Sequence, residues 1–431
     1  MILRLRKIFA PILLCALSVS SIHAAEPPRY VPLPPALDGS MMPFDFKSCT
    51  QIPYLPDSLT PIYATYVARH GARFLSSPKK IEGLMSKLEK ARNKGNLSDH
   101  GDRFFSLLET IRTANEDNWG DLSPLGAKEE KKLAKRIYST IPCLEKQPMK
   151  VNAVSSYVPR SVMTMYQFTA ELVRLNDHLT VLTDEGRKFS PLVRCFTTDK
   201  RYAEYRENGD WRPIYDDFLD RNVPAEPAKR LFSHTTLSTH ELKELSMEMY
   251  EILKGNRAAG LPAPTTQWMS ESEYKQCWRA SNLMHYLRNS ITPVSDAAAR
   301  ATSPLLEDMI AKTDSALHTG SLQINGLPQP TINAWFGHAE TLLPLLSLLR
   351  LPGCFDMPLD YDRLDECWRI QNITPLGANL LLLVARGPSG RDYACVQLNG
   401  RTVQPVKGQP DVLPWEQLRA YWKHQIEAYA K

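Results

Sequence analysis

The stretch Ile62-Tyr63-Ala64-Thr65-Tyr66-Val67-Ala68-Arg69-His70-Gly71-Ala72-Arg73 decides the reading of this chain. Residues 62–68 are β-branched, aromatic or small, with no breaker among them, which predicts a strand. The strand runs directly into Arg69, His70 and Gly71. These residues are therefore expected on a loop outside the core at the strand's carboxyl end, where open α/β sheets place their ligands. Arginine is the side chain best shaped for phosphate oxygens, because its planar fork donates two parallel hydrogen bonds. A neutral imidazole between two such forks can attack phosphorus while Arg69 and Arg73 hold the phosphoryl group. The same positive charges disfavour the imidazolium form and keep His70 nucleophilic.

Two more loops repeat the pattern. Val151–Ser155 reads as a strand leading to Arg160, after which Val162, Met165, Tyr166, Phe168 and Leu172 mark a helix. Thr331–Phe336 reads as a strand ending at Gly337-His338-Ala339-Glu340, with an apolar helix over Thr341–Leu349. His338 can donate to a phosphate oxygen, and Glu340 can protonate a departing one. Alone, each has an ordinary reading: a glutamate in a first helical turn complements the helix dipole, and a single arginine is solvated surface. Their meaning comes from falling on corresponding loops of one sheet.

The strand–loop–helix units predict an α/β fold with a mixed, mostly parallel open sheet flanked by helices. Leu380–Arg386 and Tyr393–Leu398 add a terminal strand pair, and residues 79–94, 103–114 and 126–138 read as helices. From about residue 195 to 315 strand signals vanish and helical patterns dominate. The expected domains are a discontinuous catalytic one, 26–195 and 316–431, and a mostly helical insertion, 196–315. The proline-rich residues 26–60 read as an extended arm over the surface.

The first 25 residues have the form of a secretory signal peptide, with Arg4, Arg6 and Lys7 before an apolar run and Ala24-Ala25 at its end. Secretion or periplasmic localisation follows, with no stable membrane anchor once the leader is removed. The formal charge of +5 owes three units to that leader. The nearly neutral mature chain argues against a nucleic-acid partner and leaves room for a local basic pocket. Cys15 lies in the leader. Cys49, Cys143, Cys195, Cys277, Cys354, Cys367 and Cys395 are expected to form disulfides, with Cys354 and Cys367 the first choice of pair and one cysteine left over. No cysteine or histidine spacing suits a metal site, and no cofactor is expected.

Read together, Arg69-His70-Gly71-x-Arg73 and the run Phe336-Gly337-His338-Ala339-Glu340-Thr341-Leu342-Leu343-Pro344-Leu345 resemble the histidine phosphatase superfamily, in its acid phosphatase and phytase branch. Most of that branch carries His-Asp in the second motif. His-Ala-Glu-Thr is similar to the multiple inositol polyphosphate phosphatases, and the resemblance spans the mature chain in order. It implies that His70 is the nucleophile, that Arg69, Arg73, Arg160 and His338 form the phosphate pocket, and that Glu340 is the proton donor. It also implies a substrate-binding lysine at Lys79, with the adjacent Lys80 an open alternative. Phe74-Leu75-Ser76-Ser77 departs from the family, where a Pro-Thr pair often follows the second arginine.

The function expected is hydrolysis of phosphate monoesters of inositol hexakisphosphate and lower inositol phosphates through a phosphohistidine. The partner is a small polyanion, for which Lys79, Lys80, Arg194, Lys200 and Arg201 are candidate cleft residues. A broad-specificity periplasmic acid phosphatase is the alternative, and a catalytically dead phosphate-binding protein is a second. No G-x-S-x-G elbow, P-loop or H-E-x-x-H pair offers a competing chemistry.

Overall fold

In the computed structural model, residues 30–49, 55–141, 150–319, 331–358 and 360–429 are described; the expected signal peptide, Cys15 and Cys143 lie outside them. Eight strands form one sheet: β1 (Thr60–Arg69), β2 (Lys150–Ser155), β3 (Thr180–Glu185), β4 (Ile332–Gly337), β5 (Asn379–Arg386), β6 (Asp392–Leu398), β7 (Arg401–Val403) and β8 (Val412–Pro414). Their order is β3-β2-β4-β1-β5-β6-β7, with β8 also paired to β6. The sheet is mixed, and its parallel character is confined to β3-β2-β4-β1; β5 to β8 pair antiparallel.

The central strands are buried on both faces, as parallel strands between helical layers must be. Alternation sorts their side chains. Tyr63 and Val67 of β1, with Leu380, Leu382 and Val384 of β5, join one core. This is the side of helices Ala297–Thr319, Ala339–Leu348 and Trp415–Tyr429, whose Met309, Leu342 and Trp422 share that cluster. Ala64, Tyr66 and Ala68 join a second core with Leu133 and Phe168, from helices Pro124–Thr140 and Pro159–Leu175. The period of two along each strand thus builds a three-layer sandwich.

Among the described residues no strand lies between Glu185 and Ile332. Helices Lys200–Asn208, Trp211–Asn222, Thr239–Leu253 and Glu271–Asn289 lie in that stretch, and Ala297–Thr319 runs past the expected end of the insertion. Both Thr239–Leu253 and Glu271–Asn289 start with a serine capping box, Ser238 with Glu241 and Ser270 with Glu273. No helix among the described residues is long and apolar enough to cross a membrane.

Two expectations are corrected. Part of the N-terminal arm leaves the surface: Tyr30 and Val31 are exposed, but Leu37 to Met41 are buried, and Asp38 is fully buried against Arg257 and Tyr274. The prolines end regular structure without keeping the chain in water, because Leu33 and Leu37 supply apolar surface for the core. The six described cysteines are all free. The Cys354–Cys367 bond is absent: Cys354 is buried, whereas Cys367 is exposed and its Sγ donates to the Leu364 carbonyl at 3.5 Å.

Candidate active site

Parallel register brings the three loops together. Arg69 lies opposite Gly337 and Ser155 opposite Phe336, so β1, β2 and β4 leave the sheet at one edge within a residue of each other. The His70 amide donates to the Gly337 carbonyl at 3.0 Å and the His70 carbonyl accepts from Gly377 at 3.0 Å. These bonds bring His70 into the core: it is 3% exposed, which corrects the expectation of a loop residue outside it. Gly71 is required where it stands, because a Cβ there would sit 2.9 Å from a Glu130 oxygen. Gly126, in the first turn of helix Pro124–Thr140, is required too, because its Cβ would collide with the Ala72 carbonyl.

The tautomer of the His70 ring is fixed by its neighbour. Its Nδ1 lies 3.0 Å from the Gly71 carbonyl, which can only accept, so Nδ1 carries the proton and Nε2 carries the free lone pair. Burial first, then Arg160, Arg69, His338 and Arg73, hold the imidazole well below its ordinary pKa. Burial and the surrounding positive charge therefore favour the neutral form of His70. The His338 ring lies edge-on to it, 5.5 Å between centres.

The arginines surround this pair. One Arg69 Nη donates to the carbonyls of Ser40 and Thr374, both at 2.6 Å, so the buried arm and the approach to β5 clamp the guanidinium. Burial and Arg160 press Arg69 down to about 10, and Arg73 falls to about 9 from burial, Arg160 and Arg69. Arg160 is in the first turn of Pro159–Leu175, where burial and the nearby Arg194 lower it. The Nε atoms of Arg69, Arg73, Arg160, Arg194 and Arg206 are all buried without a hydrogen-bond partner in the protein. Unpaired buried donors are costly; their concentration around one imidazole marks a site made for an anion.

Two of these arginines come from outside the three loops. Arg194 Nη1 donates to His338 Nε2 at 3.1 Å, and Ser156 Oγ lies 3.1 Å from the same nitrogen. Because arginine cannot accept, Nε2 is the acceptor and Nδ1 bears the His338 proton. Thr341 fixes this arrangement: its hydroxyl accepts from the His338 amide at 2.9 Å and donates to the Val193 carbonyl, beside Arg194, at 2.6 Å. Arg206, on Lys200–Asn208, forms an ion pair with Glu340, 3.2 Å from Nη2 to Oε1. Burial would raise the Glu340 carboxyl, but Arg206, His338, its own amide and Arg69 hold it far below the usual carboxylate range.

The structure thus assembles Arg69, His70, Arg73, Arg160, His338 and Glu340 as the sequence arranged them. Lys79 begins helix Lys79–Asn93 and lines a neighbouring groove of about 520 Å³ with Tyr215 and Glu251. Lys80 lines it as well but is paired to Glu251 at 3.2 Å. Of the other candidate cleft residues, Arg194 reaches the site, whereas Lys200 and Arg201 are exposed at the start of their helix. Arg206 escaped the sequence reading: it belongs to no motif and lies in a helix without a strand to frame it.

No family model matches the chain, and no curated protein matches it in sequence. Solved structures do. A multiple inositol polyphosphate phosphatase from Bifidobacterium longum, in complex with inositol hexasulfate, is 16% identical with a TM-score of 0.74, over 89% of this chain and 97% of that one. The same protein in complex with phosphate gives 16% and 0.74, over 91% and 98%. The phytase from D. castellii is 15% identical with a TM-score of 0.69, over 91% and 85%. The chain shares the fold of these phosphatases, nearly end to end.

Proposed function

We propose that this protein is an exported histidine phosphatase that removes phosphates from inositol hexakisphosphate and lower inositol phosphates. The observation that carries the reading is the ring of unpaired buried arginine donors around a neutral, tautomer-fixed His70. A phosphomonoester supplies the missing acceptors. The relatives in complex with inositol hexasulfate and with phosphate support the choice of a polyanionic substrate.

In the first step His70 Nε2 attacks phosphorus, and a phosphohistidine forms as the ester P–O bond breaks. Arg69, Arg73 and Arg160, with Arg194 and His338 beside them, hold the phosphoryl oxygens and offset the charge they gain. The guanidiniums do what a divalent cation does in other phosphoryl transferases, so no metal or organic cofactor enters. Glu340 gives the leaving alkoxide its proton. In the second step water attacks the phosphohistidine, Glu340 takes the water proton, and the N–P electron pair returns to Nε2. Lys79 serves the rest of the inositol ring from its groove. The leader, residues 1–25, directs export, and residues 196–315 act as the helical domain that closes the cleft.

The test is a chromatographic time course of products from inositol hexakisphosphate, with protein quenched in mid-turnover. Sequential lower inositol phosphates and an acid-labile, base-stable phosphate on His70 are expected. Label on any other residue, or no product at all, overturns the reading.

A further inference from the structure

The proton donor just described is held in the wrong state for its first task. Glu340 is ionised by its pair with Arg206, and an inositol alkoxide cannot leave without a proton. Resting on the function proposed above, we infer that Arg206 is an interlock: a second phosphate on the substrate, next to the one being removed, draws the Arg206 guanidinium off Glu340 and so lets that carboxyl take up a proton. The interlock makes the protein select clustered polyphosphates over isolated alkyl phosphomonoesters.

The geometry supports each part. The pair is a single hydrogen bond, Nη2 to Oε1 at 3.2 Å. The side chains of Arg206 and Glu340 are 14% and 29% exposed, so neither is sealed from solvent. Arg206 Nε is buried and unpaired, which leaves a donor that Glu340 does not satisfy. Arg206 and Arg194 both lie over the Phe196 ring, 5.2 and 4.9 Å from its centre. Arg194 meanwhile touches His338 and Arg206 touches Glu340, so the Phe196 ring borders both cations, one at each of the two motif residues. A phosphate or sulfate ester offers the guanidinium three terminal acceptor oxygens against the carboxylate's two, and its neighbours on the ring add further negative charge, so the clustered polyanion wins the guanidinium. Arg288 donates to the Arg206 carbonyl at 3.0 Å, which holds the helix while the side chain moves.

Other groups around Glu340 set a background. Arg69, Arg73, Arg160 and His338 face it from the sheet loops. Arg288 and His285 face it from Glu271–Asn289, and Cys195 and Tyr202 from the neighbouring short helices. In the first chemical step the bound phosphoryl group offsets the loop arginines; of the cations that remain, Arg288 and Arg206, it is Arg206 that touches the Glu340 carboxylate. The proton comes from solvent on binding, passes to the leaving oxygen, and is replaced from the attacking water. Arg206 itself keeps its charge throughout.

Two measurements test this. Calorimetry of inositol hexasulfate binding at pH 6, in buffers of different ionisation enthalpy, reads proton uptake directly, because the sulfates do not titrate. Uptake approaching one proton is expected for the wild type and much less for Glu340→Gln; equal uptake in the two overturns the interlock. Second, Arg206→Gln should lower the ratio of kcat/KM for inositol hexakisphosphate over glycerol 2-phosphate by about tenfold or more, a modest part of what general acid catalysis supplies. Arg206→Lys should restore part of the ratio. An unchanged ratio overturns the interlock, while turnover and His70 labelling in the wild type judge the hydrolase reading separately.

Discussion

The two sides of the His70 loop carry opposite, uncompensated charges. In front stand Arg69, Arg73, Arg160 and Arg194, with one carboxylate, Glu340, already shared with Arg206. Behind, under Gly71, lie Glu129 and Glu130, 5% and 0% exposed. Glu129 Oε1 accepts from the Phe44 amide at 3.1 Å, but its other oxygen and both of Glu130 have no partner in the protein. Arginine cannot shed its proton at any ordinary pH, so the front remains charged until a ligand arrives. Carboxyls can take one up. Burial pushes Glu129 up to about 8, and burial with the neighbouring Glu129 pushes Glu130 well above the usual range. The same fault, buried charge without a counter-charge, is thus a binding site on one side and a neutral wall on the other.

That contrast can be broken in four places. The largest effect is expected from His70→Ala, which should cost on the order of 10⁴-fold or more in kcat, as for loss of a nucleophile, and abolish phosphate labelling. Because His70 is buried, the variant's fold should be checked by circular dichroism. Next, Arg160→Ala should cost roughly 10²- to 10³-fold on an aryl phosphate and on inositol hexakisphosphate alike, as for one preorganised donor. Steady-state kinetics on both substrates decide it; a loss on one alone would move Arg160 out of the phosphoryl pocket.

The back wall is tested by pH. A carboxyl whose folded pKa is raised contributes stability that is full below its unfolded value, near 4.5, and is lost as pH rises through the folded value. The wild type should therefore lose thermal stability between about pH 4.5 and 8. Glu129→Gln, which keeps an acceptor for the Phe44 amide, should lose several degrees less over that window; parallel melting curves would show that Glu129 is paired after all. The smallest effect is on the front. Inorganic phosphate at 100 times its Kd should stabilise the protein by about 2.7 kcal/mol, raising Tm above that in chloride of equal ionic strength. Arg160→Ala should lose most of that increment.

Much of the front could be read from the chain, and almost none of the back. The strands before Arg69, Arg160 and His338 carry a strong apolar signal, and the polar residues follow each at once. β3 carries none: Thr180–Glu185 is a largely exposed edge strand, so burial left no pattern in it. Arg206 enters through a helix packed against the site, and helical arginines look alike whether they face a pocket or water; Arg194, in the break between two short helices, could be named as a candidate for the cleft but not placed against His338. Glu129 and Glu130 sit among charged residues in Lys128-Glu129-Glu130-Lys131-Lys132, a run that reads as a solvated face until the helix is seen against Gly71. The missing disulfides have a similar cause, because spacing says nothing about which way two thiols point.

The clamp on Arg69 has one more consequence. Its two carbonyls belong to Ser40 and Thr374, and β1 lies between β4 and β5, both formed by residues beyond 331. A ribosome has released His70, all five of the arginines around it and most of the helices long before the partners of β1 exist. Such distant pairing forms late and slowly. The growing polypeptide therefore has no assembled pocket until residue 374 has emerged.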